Sequence, residues 1–106
     1  MTQYHVDFSS LEWESPVEGV RQKVLMDSGK RLRMVEYFPK MTQHWCEEGH
    51  FGYILEGRLE IEFERGTHIF KEGDGIFIPD GAEHKHRAKV LSDVVRVIFV
   101  EDIHLP

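Results

Sequence analysis

The run His44-Trp45-Cys46-Glu47-Glu48-Gly49-His50 places three side chains able to ligate a metal within seven residues. If residues 44 to 46 are extended, His44 and Cys46 point to the same face, because side chains on a strand alternate. Glu47-Glu48-Gly49 reads as a turn. His50 then opens a second strand, Phe51 to Leu55, ended by Glu56-Gly57, and the turn can aim His50 back at the first pair. Imidazole and thiolate together suit borderline-soft divalent ions such as zinc, iron, nickel or copper. Alone, a His-x-Cys pair on an exposed strand is more often just two polar residues.

A second stretch adds weight. Gly73-Asp74-Gly75-Ile76-Phe77-Ile78-Pro79-Asp80-Gly81-Ala82-Glu83-His84 is a strand between two glycine turns with a histidine just beyond. His86 follows two residues later, so in an extended segment it faces the same way as His84. Glu47 and Glu48, in the turn beside the first group, are the acid–base candidates, although solvent-exposed turn residues are the simpler reading. Trp45 and Tyr53 suit core or rim positions. Lys85, Arg87 and Arg96 could recognise an anion but read first as surface charge. His5, His68 and His104 lie outside both stretches and are assigned no role.

The elements that must position these groups are β-strands. Val20 to Met26 and Arg31 to Phe38 flank the turn Asp27-Ser28-Gly29-Lys30. Arg58 to Arg65 alternates, with Leu59, Ile61 and Phe63 on one face and Glu60, Glu62 and Glu64 on the other, the pattern of a strand with one buried and one wet face. The three glutamates are read as a solvated face rather than a metal site. Thr67 to Lys71, Ile76 to Ile78, His84 to Lys89 and Val94 to Val100 complete the set. The last is apolar except for Arg96, which predicts burial on both faces, in a sheet centre or against another subunit. Roughly eight short strands with turn signals about every ten residues indicate a β-sandwich or barrel. Residues 1 to 18 form an N-terminal arm, irregular or helical, in which Ser9 to Glu14 could begin a short helix ended by Pro16. Residues 19 to 106 form a single barrel domain.

Composition sets the bounds. A chain of 106 residues with 41% hydrophobic and 30% charged residues is an ordinary globular domain with one core. A net charge of −6 argues against a nucleic-acid partner, which requires a basic patch. Cys46 is the only cysteine, so no internal disulfide forms. Neither a signal peptide nor an apolar run long enough to span a bilayer is visible, which makes the cytoplasm the expected compartment and a membrane an unexpected partner.

The two stretches together resemble the cupin superfamily, whose small jelly-roll barrels carry two motifs. The first reads Gly, five residues, His-x-His, three or four residues, Glu, six residues, Gly. Counting back from Gly57 puts His50 at the glutamate position, Cys46 at the second histidine and His44 at the first, while Phe38 stands where a glycine is expected. The second reads Gly, five residues, Pro-x-Gly, two residues, His, three residues, Asn. Gly73, Pro79, Gly81 and His84 match it in register and Ala88 replaces the asparagine. The resemblance implies an all-β cupin-type jelly-roll β-barrel over about residues 20 to 100 and a divalent metal held by His44, Cys46, His50 and His84. A two-residue slip in the turn would select His86 instead. Both replacements are competent ligands, and they soften the site toward zinc, iron, nickel or copper and away from manganese. As a class, the resemblance implies isomerases, lyases and dioxygenases acting on a small molecule in the barrel, and a homodimer. Two other readings remain: a non-enzymatic small-molecule or redox-sensing module, in which Cys46 is the sensitive group, and a metal-free degenerate cupin.

Overall fold

The computed structural model describes residues 4–103. Its strands are β1 (Glu14–Val17), β2 (Val20–Asp27), β3 (Lys30–Tyr37), β4 (His50–Glu56), β5 (Arg58–Phe63), β6 (Gly66–Lys71), β7 (Gly75–Ile78), β8 (His86–Val90) and β9 (Val95–Asp102). They form a six-stranded antiparallel sheet in the order β1-β2-β3-β9-β4-β7 and a three-stranded sheet in the order β6-β5-β8. The all-β jelly-roll expectation holds. Helix is limited to two single 3-10 turns, Phe8–Ser10 and Ala82–His84, and no helix among the described residues is long and apolar enough to cross a membrane.

Alternation builds the core. On β5, Leu59 and Ile61 are buried while Glu60 and Glu62 are half-buried on the other face. Glu62 takes a hydrogen bond from Arg87 Nε at 2.9 Å, and Glu64 lies 3.3 Å from Lys85 Nζ. Two of the three glutamates are thus charge-paired at the surface. On β9, Val95, Val97, Phe99 and Glu101 point inward and are buried. The outward positions Ile98 and Val100 are half-buried and exposed. The last strand therefore does sit in a sheet centre, between β3 and β4, but only one of its faces is covered within the chain.

The N-terminal segment departs from the helical alternative. Asp7, not serine, caps the 3-10 turn, its Oδ1 accepting from Ser9 N at 3.0 Å. Residues 14 to 17 pair with β2 as the outermost strand of the sheet. Pro16 is tolerated there because an edge strand needs no partner for one of its sides.

The register stacks the inward residues in layers. His50 lies opposite Ile78 and Gly52 opposite Ile76. Across the barrel, Phe63 lies opposite His86 and Ile61 opposite Ala88. One layer therefore carries His50 and His86, and the layer beneath it carries Ile76, Ile61 and Ala88. Gly52 permits the fit between β4 and β9, since a Cβ there would lie 2.1 Å from Ile98 O and 2.7 Å from Phe99 Cδ1.

Candidate metal centre

Three of the five expected ligands converge. Cys46, His50 and His86 have ligand atoms within 4.8 Å of one another. His50 is carried on the first residue of β4 and His86 on the first residue of β8. Cys46 lies in the segment before β4 and is pinned to His86 by two backbone hydrogen bonds, Cys46 N to His86 O at 2.8 Å and His86 N to Cys46 O at 2.9 Å. That bridge brings the two sequence stretches together. Gly49 lets the intervening turn pass close to β7, because a Cβ there would lie 2.3 Å from Ile78 O.

The other two candidates stand apart from this group. His44 is exposed and lines the cavity near its mouth. His84 ends the 3-10 turn at Ala82–His84, where its ring lies 3.8 Å from a Glu83 carboxylate oxygen and its side chain is 41% exposed. The 3-10 turn takes up the residues between Gly81 and β8, so the histidine that starts β8 is His86. It is 5% exposed. Glu47 and Glu48 are exposed, as the turn reading anticipates.

Both imidazoles are held from behind. His86 Nδ1 lies 3.0 Å from the carbonyl oxygen of His84. A carbonyl only accepts, so Nδ1 carries the proton and the Nε2 lone pair is left for the cavity. His50 Nδ1 is hydrogen-bonded to Glu101 Oε2. Glu101 itself is locked: Oε1 accepts from Arg31 Nε at 2.8 Å and Arg33 Nε at 2.7 Å, and Oε2 accepts from Arg33 Nη2 at 2.6 Å. Arg33 Nη1 donates to Gln22 Oε1 at 2.8 Å, and Gln22 Nε2 donates to Glu14 Oε1 at 2.9 Å. This chain of polar contacts runs from the edge strand β1 to the His50 ring. Carboxylate–histidine pairing of this kind orients metal ligands and raises their basicity. Glu101 and its arginines are conspicuous only in three dimensions; in sequence they are ordinary charged residues on strands.

The electrostatics follow from these contacts. Burial would raise the Glu101 carboxyl, but hydrogen bonds from His50, Arg33 and Arg31 outweigh it, and the group titrates at about 2. Burial pulls His50 down, yet its bonds to Cys46 and Glu101 carry it above the ordinary histidine value. The Cys46 thiol is lowered chiefly by its hydrogen bond with His50, against the opposing effect of burial. His86 is lowered by burial, which keeps its ring neutral. Without an ion, Cys46 and His50 thus lean toward a thiolate–imidazolium pair.

The donor set fits a divalent transition ion. Donor atoms around one tetrahedral zinc-like ion sit about 3.3–3.7 Å apart, given metal–sulfur and metal–nitrogen bonds of about 2.3 and 2.0 Å. A modest contraction of the group would meet that geometry. Thiolate with two imidazoles is a borderline-soft set, and three protein ligands leave a further coordination position.

The group opens into a cavity of about 250 Å³ in the barrel. Eight of the lining residues are buried. Val20, Leu59, Ile61, Ile76, Ile78 and Phe99 are apolar, and Arg33 and His86 are polar. Phe99 packs on the His50 ring with centroids 4.8 Å apart. Arg87, which lines the cavity, has its guanidinium 4.9 Å from the Trp45 ring centroid, and the Lys85 ammonium lies 5.5 Å from the same ring.

A two-sheet β-barrel with converging ligands around an internal cavity is the cupin architecture. The chain belongs to the cupin family, the family model described as Cupin domain matching residues 34–101. Among solved structures it is similar to KdgF from Halomonas sp., with a TM-score of 0.71 and 20% identity over 91% of this chain and 92% of that one. It is also similar to the polyketide cyclase RemF from Streptomyces resistomycificus, with a TM-score of 0.76 and 22% identity over 99% and 82% of the two chains. A sugar phosphate isomerase of the cupin superfamily from Silicibacter pomeroyi aligns with a TM-score of 0.74 and 19% identity over 94% and 76%. At these identities the likeness is one of fold. No curated protein matches the chain.

Proposed function

We propose that the chain is a metal-dependent cupin that binds a small molecule inside the barrel, with Cys46, His50 and His86 holding one divalent transition ion such as zinc, iron, nickel or copper. The observation that carries this reading is the convergence of one thiol and two imidazoles within 4.8 Å, each ring anchored through Nδ1. When bound, the ion would act as a Lewis acid or an oxygen-activating centre, the chemistry of isomerases, lyases and dioxygenases. Glu101 and the His84 carbonyl hold the two rings in orientation. The apolar wall excludes water. Relatives described as a cyclase and an isomerase agree with small-molecule work, without choosing the reaction.

Metal content of the purified protein, measured by elemental mass spectrometry beside His50→Ala, tests the proposal. Near-stoichiometric metal in the wild type, lost in the variant, is the expected result. No metal in either, after reconstitution with zinc, iron, nickel, copper and manganese, would sink it.

A second reading, a redox-sensing module without turnover, is supported by the lowered Cys46 thiol facing the cavity. Loss of metal on mild peroxide treatment, restored by a thiol reductant, would favour it. A reducing compartment such as the cytoplasm suits a single cysteine kept as a free thiol.

We propose further that two copies pair through the outer face of the six-stranded sheet. Phe77, Phe51 and Val100 lie side by side across β7, β4 and β9, 80%, 41% and 42% exposed, and the Phe51 and Phe77 rings pack with centroids 4.6 Å apart. The register continues this row through Leu32 and Leu25 on β3 and β2. Such a continuous apolar row matches a copy of itself, as an isologous interface requires. Light scattering would show a dimer for the wild type and a monomer for Phe77→Asp.

A further inference from the structure

The lining of the cavity narrows what enters it. Resting on the metal reading above, we propose that the ligand has a mainly hydrocarbon or aromatic body with one anionic oxygen-bearing end directed at the ion, and is not a sugar or other polyol.

The buried wall is the first observation. Six of its eight residues offer only carbon, and the half-buried Tyr37 adds one phenol, which is hydrogen-bonded to Arg33. Of the two polar ones, His86 is a metal-ligand candidate and Arg33 already donates to both Glu101 oxygens and to Gln22. A hydroxyl carried beneath the His50–His86 layer would meet Ile76, Ile61 and Ala88, and Phe99 beside them. Each hydroxyl buried there without a partner would cost on the order of tenfold in affinity. An apolar ring or chain meets no such loss and gains from leaving water.

Charge at the metal end is the second observation. Two guanidiniums, Arg31 and Arg33, share the one carboxylate of Glu101. The Cys46 thiolate offsets only part of a divalent ion. The end of the cavity that holds the ligand atoms is therefore net positive, and Glu48, at the rim, is exposed to solvent. An oxygen anion is the complementary group. Polar and apolar groups are thus segregated by depth, and the ligand must be segregated in the same way.

Three hydroxamates carry the same metal-binding head on different bodies: acetohydroxamate, benzohydroxamate and gluconohydroxamate. Each would be titrated into the cobalt-loaded full chain and followed by the visible spectrum of the ion. Benzohydroxamate should bind at least about tenfold more tightly than acetohydroxamate, a difference of about 1.4 kcal/mol, and gluconohydroxamate more weakly than both. Ile76→Thr should narrow the gap between the benzoyl and gluconyl compounds. Equal binding of all three, or tightest binding of gluconohydroxamate, would overturn the inference. If the chain takes up neither cobalt nor zinc, iron, nickel, copper or manganese, the metal reading fails by itself. The methyl NMR signals of Ile61, Ile76 and Ile78 in the metal-free chain then decide the ligand class: shifts with benzohydroxamate alone uphold it, and shifts with gluconohydroxamate or with neither reject it.

Discussion

Glu101 Oε2 and His50 Nδ1 are hydrogen-bonded across the β9–β4 pair, so that a carboxylate two residues past Phe99 sets the orientation of a histidine at the start of another strand. Glu101 is 5% exposed and is shared with two arginines. Replacing it with glutamine keeps the shape but leaves Arg33 buried without its counter-charge. Breaking a buried pair from one side costs about 3–5 kcal/mol, so Glu101→Gln should lower stability by several kcal/mol in urea denaturation. Metal affinity of the folded fraction should fall about 10–100-fold, as it does when an outer-shell partner is lost.

The same carboxylate predicts an acid limb. Its pKa falls from 4.5 to about 2 on folding. A depressed acid stabilises the folded state above its unfolded value, and that contribution is lost as pH drops through the folded one. At about 1.36 kcal/mol per pH unit, the drop corresponds to a contribution of about 3 kcal/mol. Stability should decline between pH 4.5 and 2, and Glu101→Gln should flatten that decline. His50 has the opposite sign: its raised pKa stabilises the metal-free chain below the ordinary histidine value of 6.5, and the gain is lost as pH climbs through the folded value. Thermal unfolding against pH, in wild type, Glu101→Gln and His50→Ala, would separate the two limbs.

His84 and His86 make a sharper test, because they differ by two positions and by their surroundings. His86 is buried beside Cys46 and His50, whereas His84 sits at the end of a turn beside Glu83. His86→Ala should abolish stoichiometric metal, while His84→Ala and His44→Ala should keep it. Metal loss in His84→Ala with retention in His86→Ala would show that the turn rearranges when the ion binds.

The fold was legible because the signals were local. Leu59, Ile61 and Phe63 alternate with glutamates, glycines mark the turns, and each strand needs only its own residues to declare itself. Cys46 and His50 were legible as candidate ligands for the same reason, lying within one short stretch. The choice between His84 and His86 was not, since it depends on whether Ala82–His84 coils or extends, and a single 3-10 turn has no strong sequence signature. Glu101 was invisible. Its role exists only because β9, the last strand, inserts between β3 and β4, a pairing of residues some fifty positions apart. The burial of β9 was anticipated on both faces, but apolar composition alone does not say whether a second face is covered by the same chain.

Cys46 should behave as an activated thiol whose exposure depends on the ion. The imidazole of His50 lowers it below the free-thiol value of 9.0, and its partial exposure leaves it open to reagents. In the metal-free chain, iodoacetamide should alkylate it at neutral pH about tenfold faster than it alkylates an unstructured cysteine peptide, and His50→Ala should remove most of that advantage. Zinc at stoichiometric concentration should slow the reaction at least about tenfold, because a ligating thiolate has its lone pair engaged. Protection by zinc that survives His86→Ala would place the ion elsewhere. Loss of protection in His86→Ala, with His84→Ala unaffected, would tie the thiol to the same three-residue group that the backbone bridge between Cys46 and His86 assembles.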